Sequence, residues 1–545
     1  MSRQEVLSVQ VAPLEERRRK IEQAPVLPSI GALLDAAAAE APDRQALNFF
    51  ESEETATYAQ LQNRVNQLAN GLAHRGIRKG HHVGVMLPNI IAMPITWLAL
   101  GRLGAVMLPM NIAYTGREMT YVIEDGEADW LIIHEDCLAT LAGLTPFPGK
   151  ITPDKIFVVG KGDGGFRRWD ALSDGQRTDF IAPEAVGVDD LMNIQYTSGT
   201  TGFPKGCMLP HRYWLNISRV NAFRDGRDIK RILAATPFFY MDPQWLMLMA
   251  FHQRGTLFAA RRQSASRFMG WVRDHGIQFT LFPELAFKQP PHPDDRKNQI
   301  IRVNCYGLHK ENHKALEERF DFIAREAFGM TEIGSGLFMP IEATDMVGSG
   351  ACGKPSPYRE ARIVDENDNP VKQGEIGELQ VRGPGMLQGY YNKPEATAQA
   401  LKDGWFRTGD LFRQDERGYF YIVGRLKDMI RRAGENIAAR EVEAVLRGMP
   451  EIVEAAAVPV PDDTRGQEVK VYLVLKPGVK PTDLPPEKVV QFCETNLAKF
   501  KVPRYVSYID KLPKTPSEKI AKQVLVQGVA DLRTGSFDRV SGKWL

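Results

Sequence analysis

Short apolar segments alternate with amphipathic ones through the first half of the chain, and this alternation restricts the fold more than any other feature. Between Thr57 and Gly76, Leu61, Val65, Leu68, Ala69 and Leu72 recur at helical spacing, with Thr57 placed as an N-cap and Gly76 as a stop. V-G-V-M-L follows at 83–87, closed by Pro88-Asn89. An apolar segment then runs through Trp97 and Leu100, and A-V-M-L-P ends at Pro109. Strands that are apolar on both faces need cover on both, which helices between parallel strands supply. The pattern returns before Tyr196 and around Gly255 to Ala260, so an α/β fold with a large N-terminal region of layered α/β subdomains is expected.

After Ala361 the pattern changes. Strand-like pieces such as G-E-L-Q-V-R-G (377–383) and G-Y-F-Y-I-V-G-R (418–425) are separated by Gly, Pro and Asp turns, which predicts a β-rich subdomain of antiparallel sheet. A small α/β unit follows, with helices near 438–446 and 488–499 and strands at 452–460 and 469–475. At 545 residues the chain exceeds what one core serves. The expected division is 1–426 for the large domain and 427–545 for the small one, because Lys427 lies between a strand end and a charged stretch bearing Gly434.

Composition excludes some partners. Lys plus Arg number 69 against 67 for Asp plus Glu, so no field of one sign exists to attract nucleic acid. Cys137, Cys207, Cys305, Cys352 and Cys493 lie far apart and form no zinc spacing, which suggests reduced thiols in a cytoplasmic protein. The N-terminus has no apolar core of a secretory signal, and no run of about eighteen uncharged apolar residues suits a membrane span. Arg17 to Lys20, flanked by Glu15, Glu16 and Glu22, reads as a solvated helix face.

The segment Y-T-S-G-T-T-G-F-P-K-G (196–206) is suited to phosphate. Gly199, Gly202 and Gly206 let the backbone approach an anion. Thr197, Ser198, Thr200 and Thr201 add hydroxyls, and Lys205 adds a charge. It is not a Walker A loop, since the G-K-[ST] ending is missing. A flexible polar surface loop explains the hydroxyls but not the apolar lead-in L-M-N-I-Q-Y, which reads as a buried strand.

Four further clusters lie downstream. In F-G-M-T-E, Phe328 can stack on a heterocycle, Thr331 can donate to phosphate and Glu332 offers a hard oxygen suited to Mg²⁺. W-F-R-T-G-D presents Asp410 after a Gly turn, able to accept both hydroxyls of a ribose. G-R-L-K-D contains Arg425 and Lys427, and P-K-T-P-S-E-K-I contains Lys519. Singly, each has an ordinary reading as a turn Asp, a surface Arg or a solvated Lys.

Together with the phosphate loop, the set resembles the adenylate-forming superfamily of acyl-CoA synthetases, firefly luciferase and nonribosomal-peptide adenylation domains, from near Ile30 to near Leu525. Within it the sequence resembles crotonobetaine/carnitine-CoA ligases through I-R-R-A-G-E-N-I (430–437), F-C-E-T-N-L-A-K-F-K-V-P (492–503) and F-Y-M-D-P-Q (239–244). The resemblance implies an acid-thiol ligase that joins a carboxylate to AMP and then lets the CoA thiol displace AMP. It implies ATP, Mg²⁺ and coenzyme A as co-reactants of a small carboxylic acid. It assigns Lys519, Thr331 and Glu332 to catalysis, Glu332 also to the metal. The loop from Thr197 to Lys205, Phe328, Asp410 and Arg425 are assigned to ATP, Gly434 to CoA, and Lys427 to the hinge of a mobile C-terminal domain. Two departures stand out: Glu518 replaces the usual glycine before the lysine, and Tyr306-Gly307-Leu308 replaces a Gly-Gly-Ala-like loop.

Tyr240 to Trp245 is the expected acyl pocket segment. Tyr240, Trp245 and Asp242 suit a quaternary ammonium, as in carnitine or crotonobetaine; the alternative is a core strand end with Asp242 capping a turn. A fatty, aryl or bile acid, delivery to a carrier protein, and a silent nucleotide-binding protein are the competing readings. No carrier domain is expected after Leu525, where a short polar tail ends in K-W-L.

Overall fold

The helix announced by Thr57 runs Tyr58–His74. The Thr57 hydroxyl accepts from Gln60 N at 3.2 Å while the Gln60 side chain accepts from Thr57 N at 2.9 Å, satisfying two end donors reciprocally. Leu61, Val65, Leu68, Ala69 and Leu72 are all fully buried, and the helix packs on Ala92–Leu103. Gly76 then turns the chain at φ +96°, a conformation that a Cβ would oppose.

This is a computed structural model describing residues 2–197, 204–432, 435–514 and 520–545. The chain forms two units, one of Met1–Thr197, Lys205–Ala361 and Val381–Phe406, the other taking in Arg362–Gln380 and Arg407–Leu545. The first unit contains two large sheets. In the seven-stranded one, Arg167–Arg168, Ile156–Val159, Trp130–His134, His82–Met86, Val106–Pro109 and Leu191–Thr197 are neighbours in that order and parallel. Lys205–Pro210 closes the edge, antiparallel to Leu191–Thr197. The nine-stranded sheet has a parallel centre of Gln45–Phe49, Thr256–Ala259, Arg231–Ala234, Phe279–Leu281, Arg302–Cys305 and Ala324–Met330. Its antiparallel edges are Glu54–Thr57 on one side and Gly334–Phe338 with Lys354–Pro355 on the other. The parallel centres carry the apolar strands whose double-sided burial the sequence demanded.

In the second unit, Asp410 to Gln414, the end of the strand Trp405–Gln414, pair antiparallel with Phe420–Arg425. A further sheet is built around Gly466–Leu475, which is antiparallel to Ile452–Asp462 and parallel to Tyr505–Tyr508. Helices Ala439–Arg447 and Pro486–Asn496 bury Val442, Leu446, Val489 and Cys493 against Val469, Val471 and Leu473.

Two sequence expectations are corrected. The helix Leu14–Gln23 is not solvated throughout its basic run, because Arg17 is buried, with Nε donating to Arg224 O at 2.8 Å and Nη2 meeting Glu342 at 2.8 Å. A guanidinium can be buried when its donors are all aimed at acceptors, which charge patterning does not reveal. The stretch after Leu525 is not merely a polar tail: Phe537–Asp538 and Lys543–Trp544 extend the sheet beyond Tyr505–Tyr508. Arg504 holds this extension through Asp538 at 3.1 Å. Among the described residues no helix is long and apolar enough to cross a membrane.

Candidate active site

The loop read as a phosphate cradle joins the two strands of a hairpin, Leu191–Thr197 and Lys205–Pro210, with Thr197 opposite Lys205. Ser198, Gly199, Thr200, Thr201 and Gly202 lie outside the described residues. The stem is fixed from both sides. Tyr196 OH donates to Asp125 Oδ2 at 3.0 Å, and Asp125 Oδ1 also meets Lys393 Nζ at 2.6 Å. On the buried face, Asn193 takes the Trp97 indole N–H at 2.8 Å and donates to Gln244 Oε1 at 2.9 Å, and Gln195 donates to Phe239 O at 2.8 Å. These amides tie the strand that feeds the loop to the segment expected to touch the acid.

That segment is not a strand end. Met241–Gln253 is a helix with Tyr240 as its N-cap, and Asp242 lies in its first turn. Trp245 is 1 % exposed, its ring edge-on to Phe279 at 6.4 Å, and its indole N–H reaches Asp242 Oδ1 at 3.3 Å. Tyr240 is 36 % exposed and packs on Phe239. The expected pair of rings around one cation is therefore corrected: the helix is buried from Pro243 to Phe251, which places Trp245 in the core and leaves Tyr240 and Asp242, at the helix start, as the accessible members. Met241 makes an unanticipated link, since its sulfur accepts from Tyr213 OH at 3.7 Å and from Thr331 Oγ1 at 3.8 Å.

Phe328 lies on the strand Ala324–Met330, half-buried, at a register shift before Gly329. Any side chain at Gly329 would meet Gly334 O at 2.5 Å, so the tight return of F-G-M-T-E requires glycine there. Glu332 follows the turn and is buried, with Oε1 accepting from Tyr390 OH at 3.0 Å. Lys205 Nζ stands over the same ring, 4.2 Å from its centroid. The chain from 387 to 391 reaches this place by pairing with the hairpin: Leu387 N donates to Glu332 O, Gln388 N to Met208 O and Tyr391 N to Gly206 O. Lys205 and Glu332, predicted separately, are thus brought together by Tyr390, which sequence reading missed. After the strand Arg302–Cys305, Gly307 N and Leu308 N donate to the two carboxylate oxygens of Glu326 at 2.7 and 2.9 Å, fixing the loop that departs from the usual pattern.

Asp410 and Arg425 belong to the second unit, where they face each other across paired strands, Oδ1 3.1 Å from Nε. Asp410 is buried and Arg425 is not. Lys427 lies in the exposed turn Leu426–Asp428. Gly434, Glu518 and Lys519 lie outside the described residues.

Comparison with known proteins gives this arrangement its family. The family model for an AMP-binding enzyme matches residues 34–391, and that for the AMP-binding enzyme C-terminal domain matches 441–519. The chain belongs to the AMP-binding enzyme family. Crotonobetaine/carnitine–CoA ligase of Salmonella paratyphi A is 32% identical over 484 residues, covering 86% of this chain and 92% of that protein. The ATP-bound MatB of Rhodopseudomonas palustris superposes with a TM-score of 0.80 at 27% identity, over 91% of this chain and 98% of that one. The anthranilate CoA ligase AuaEII, at 22% identity and a TM-score of 0.82 over 93% and 98% of the two chains, shares the fold. This AMP-binding enzyme is accordingly an AMP-forming acid–CoA ligase by family, and such enzymes use ATP and CoA.

Proposed function

We propose that the chain condenses a betaine-type carboxylic acid with CoA through an acyl-adenylate, with 427–545 swinging between the two half-reactions. The convergence of Lys205 and Glu332 on Tyr390, at the end of the phosphate hairpin, carries this reading. Lys205 and the hydroxyls from Thr197 to Thr201 grip the β- and γ-phosphates as pyrophosphate departs, and Thr331 donates to the α-phosphate. Phe328 stacks on adenine, while Asp410 accepts from the ribose with Arg425 beside it.

Glu332 suits Mg²⁺, since a single hard carboxylate oxygen plus phosphate oxygens is the usual donor set for that ion. There it would hold the ion against the phosphates, where the ion would offset their charge. Lys519 stabilises charge growing on the α-phosphate, and Gly434 passes the pantetheine arm after Lys427 turns the small domain. The betaine assignment is supported by the accessible carboxylate Asp242 next to Tyr240, and by crotonobetaine/carnitine–CoA ligases among the relatives. A fatty, aryl or bile acid is the second reading, since the exposed ring of Tyr240 packs equally on an uncharged chain.

The decisive experiment is acid-dependent exchange of labelled pyrophosphate into ATP, followed by CoA-dependent thioester formation, over a panel of acids. Lys519→Ala is expected to lower exchange by about a hundredfold to a thousandfold. Unchanged exchange in that variant removes the role given to Lys519.

A further inference from the structure

Lys205 and Glu332 are opposite charges that each meet the side chain of Tyr390, Lys205 over its ring and Glu332 at its hydroxyl. Tyr390 occupies both. Its ring face lies 4.2 Å from the Lys205 ammonium and its hydroxyl lies 3.0 Å from Glu332 Oε1. The two interactions use different parts of the side chain, because the π-face attracts a cation while the O–H donates to a carboxylate. Tyr390 is itself buried, its backbone forms an isolated antiparallel β-bridge with Cys207, and its N–H donates to Thr397 Oγ1 at 2.9 Å.

We propose that Tyr390 is a positioning residue that keeps Lys205 and Glu332 from neutralising each other, so that both stay available, one to phosphate oxygens and the other to the divalent cation. This rests on the roles proposed above for Lys205 and Glu332. A direct ion pair in so buried a place would hold both groups in one geometry and remove them from the ligand. Splitting the pair over a neutral ring avoids this while satisfying each partner.

The test uses the full chain with three variants and two equilibrium measurements: Mn²⁺ binding in the presence of ATP, read by paramagnetic resonance, and pyrophosphate binding, read by calorimetry. Tyr390→Phe keeps the ring and loses the hydroxyl. It is expected to weaken Mn²⁺ binding by about tenfold, the loss of one hydrogen bond to a charged group, and to leave pyrophosphate within about twofold. Tyr390→Leu loses both contacts and is expected to weaken both ligands. Adding Glu332→Gln to Tyr390→Leu frees Lys205 again, so pyrophosphate affinity should recover while Mn²⁺ affinity does not. A merely structural tyrosine predicts no such recovery.

Unchanged Mn²⁺ binding in Tyr390→Phe, or no recovery in the double variant, overturns the proposal. Lys205→Met and Glu332→Gln as single changes separate its failure from that of the underlying reading. If they weaken pyrophosphate and Mn²⁺ binding respectively while the Tyr390 variants do not, only the spacer role falls. If neither does, the site assignment falls with it.

Discussion

Asp410 and Arg425 stand opposite each other on neighbouring strands, joined by a 3.1 Å contact between Oδ1 of the buried Asp410 and Nε of the exposed Arg425. If Asp410 accepts from the ribose, Asp410→Asn should raise KM for ATP by about tenfold to a hundredfold, the loss of a charged acceptor. The penalty should shrink when the nucleotide lacks the ribose hydroxyl concerned. An equal penalty with ATP and with both 2′- and 3′-deoxy analogues, compared by pyrophosphate exchange, would remove the ribose role.

The acid pocket gives a second prediction. Asp242 stands in the first turn of its helix, where the N-terminal dipole favours its charge. Asp242→Asn should raise KM for a trimethylammonium acid by about tenfold, within the range for loss of a counter-ion at a cation site, and spare an uncharged acid of the same length. Parallel kinetics on the two acids decide it; equal effects on both would refute the betaine reading.

A third prediction concerns acid stability. Burial lowers His211 to about 4, with Asp190 opposing the shift and Lys79 adding to it. In an unfolded chain the same ring titrates near about 6.5. Between these values the unfolded chain binds a proton that the folded chain refuses, so the stabilisation is complete above about pH 6.5 and is lost as pH falls toward about 4. Ile30 N donates to His211 Nδ1 at 3.3 Å, an acceptor that asparagine can imitate. Thermal midpoints of His211→Asn should therefore fall less steeply than those of the parent across this window. Identical slopes would show that another group governs the acid limit.

The Thr57 helix offers a fourth. Thr57→Ala removes one end of a reciprocal cap and should cost about 1 kcal/mol, whereas Leu68→Ala empties a fully buried site and should cost about 3 to 5 kcal/mol. Thermal denaturation of the two variants should rank them in that order, and Thr57→Ser should match the parent. A reversed ranking would mean that this helix is held by its end rather than its face.

Accessible thiols give a fifth. All five cysteines are buried and none forms a disulfide, and burial raises Cys137 to about 11 and Cys493 to about 12. A thiolate reagent at neutral pH should find no fast-reacting group in the native chain and five after denaturation. Fast modification of the native protein would contradict this burial.

What the sequence determined by itself was local and periodic. The spacing of Leu61, Val65, Leu68, Ala69 and Leu72 committed Tyr58–His74 to a helix with one buried face, and the L-M-N-I-Q-Y run committed Leu191–Thr197 to a strand, because both patterns are set by neighbours in the chain. Asn193 and Gln195 inside that run were a legible warning, since buried amides must find partners, but the sequence could not name Trp97, Gln244 and Phe239 as those partners. The tertiary structure alone carried Tyr390 across 58 residues to Glu332 and set its ring beneath the Lys205 ammonium. Such meetings depend on which strand pairs with which, and strand pairing is selected by the packing of the whole sheet rather than by the local pattern of either partner.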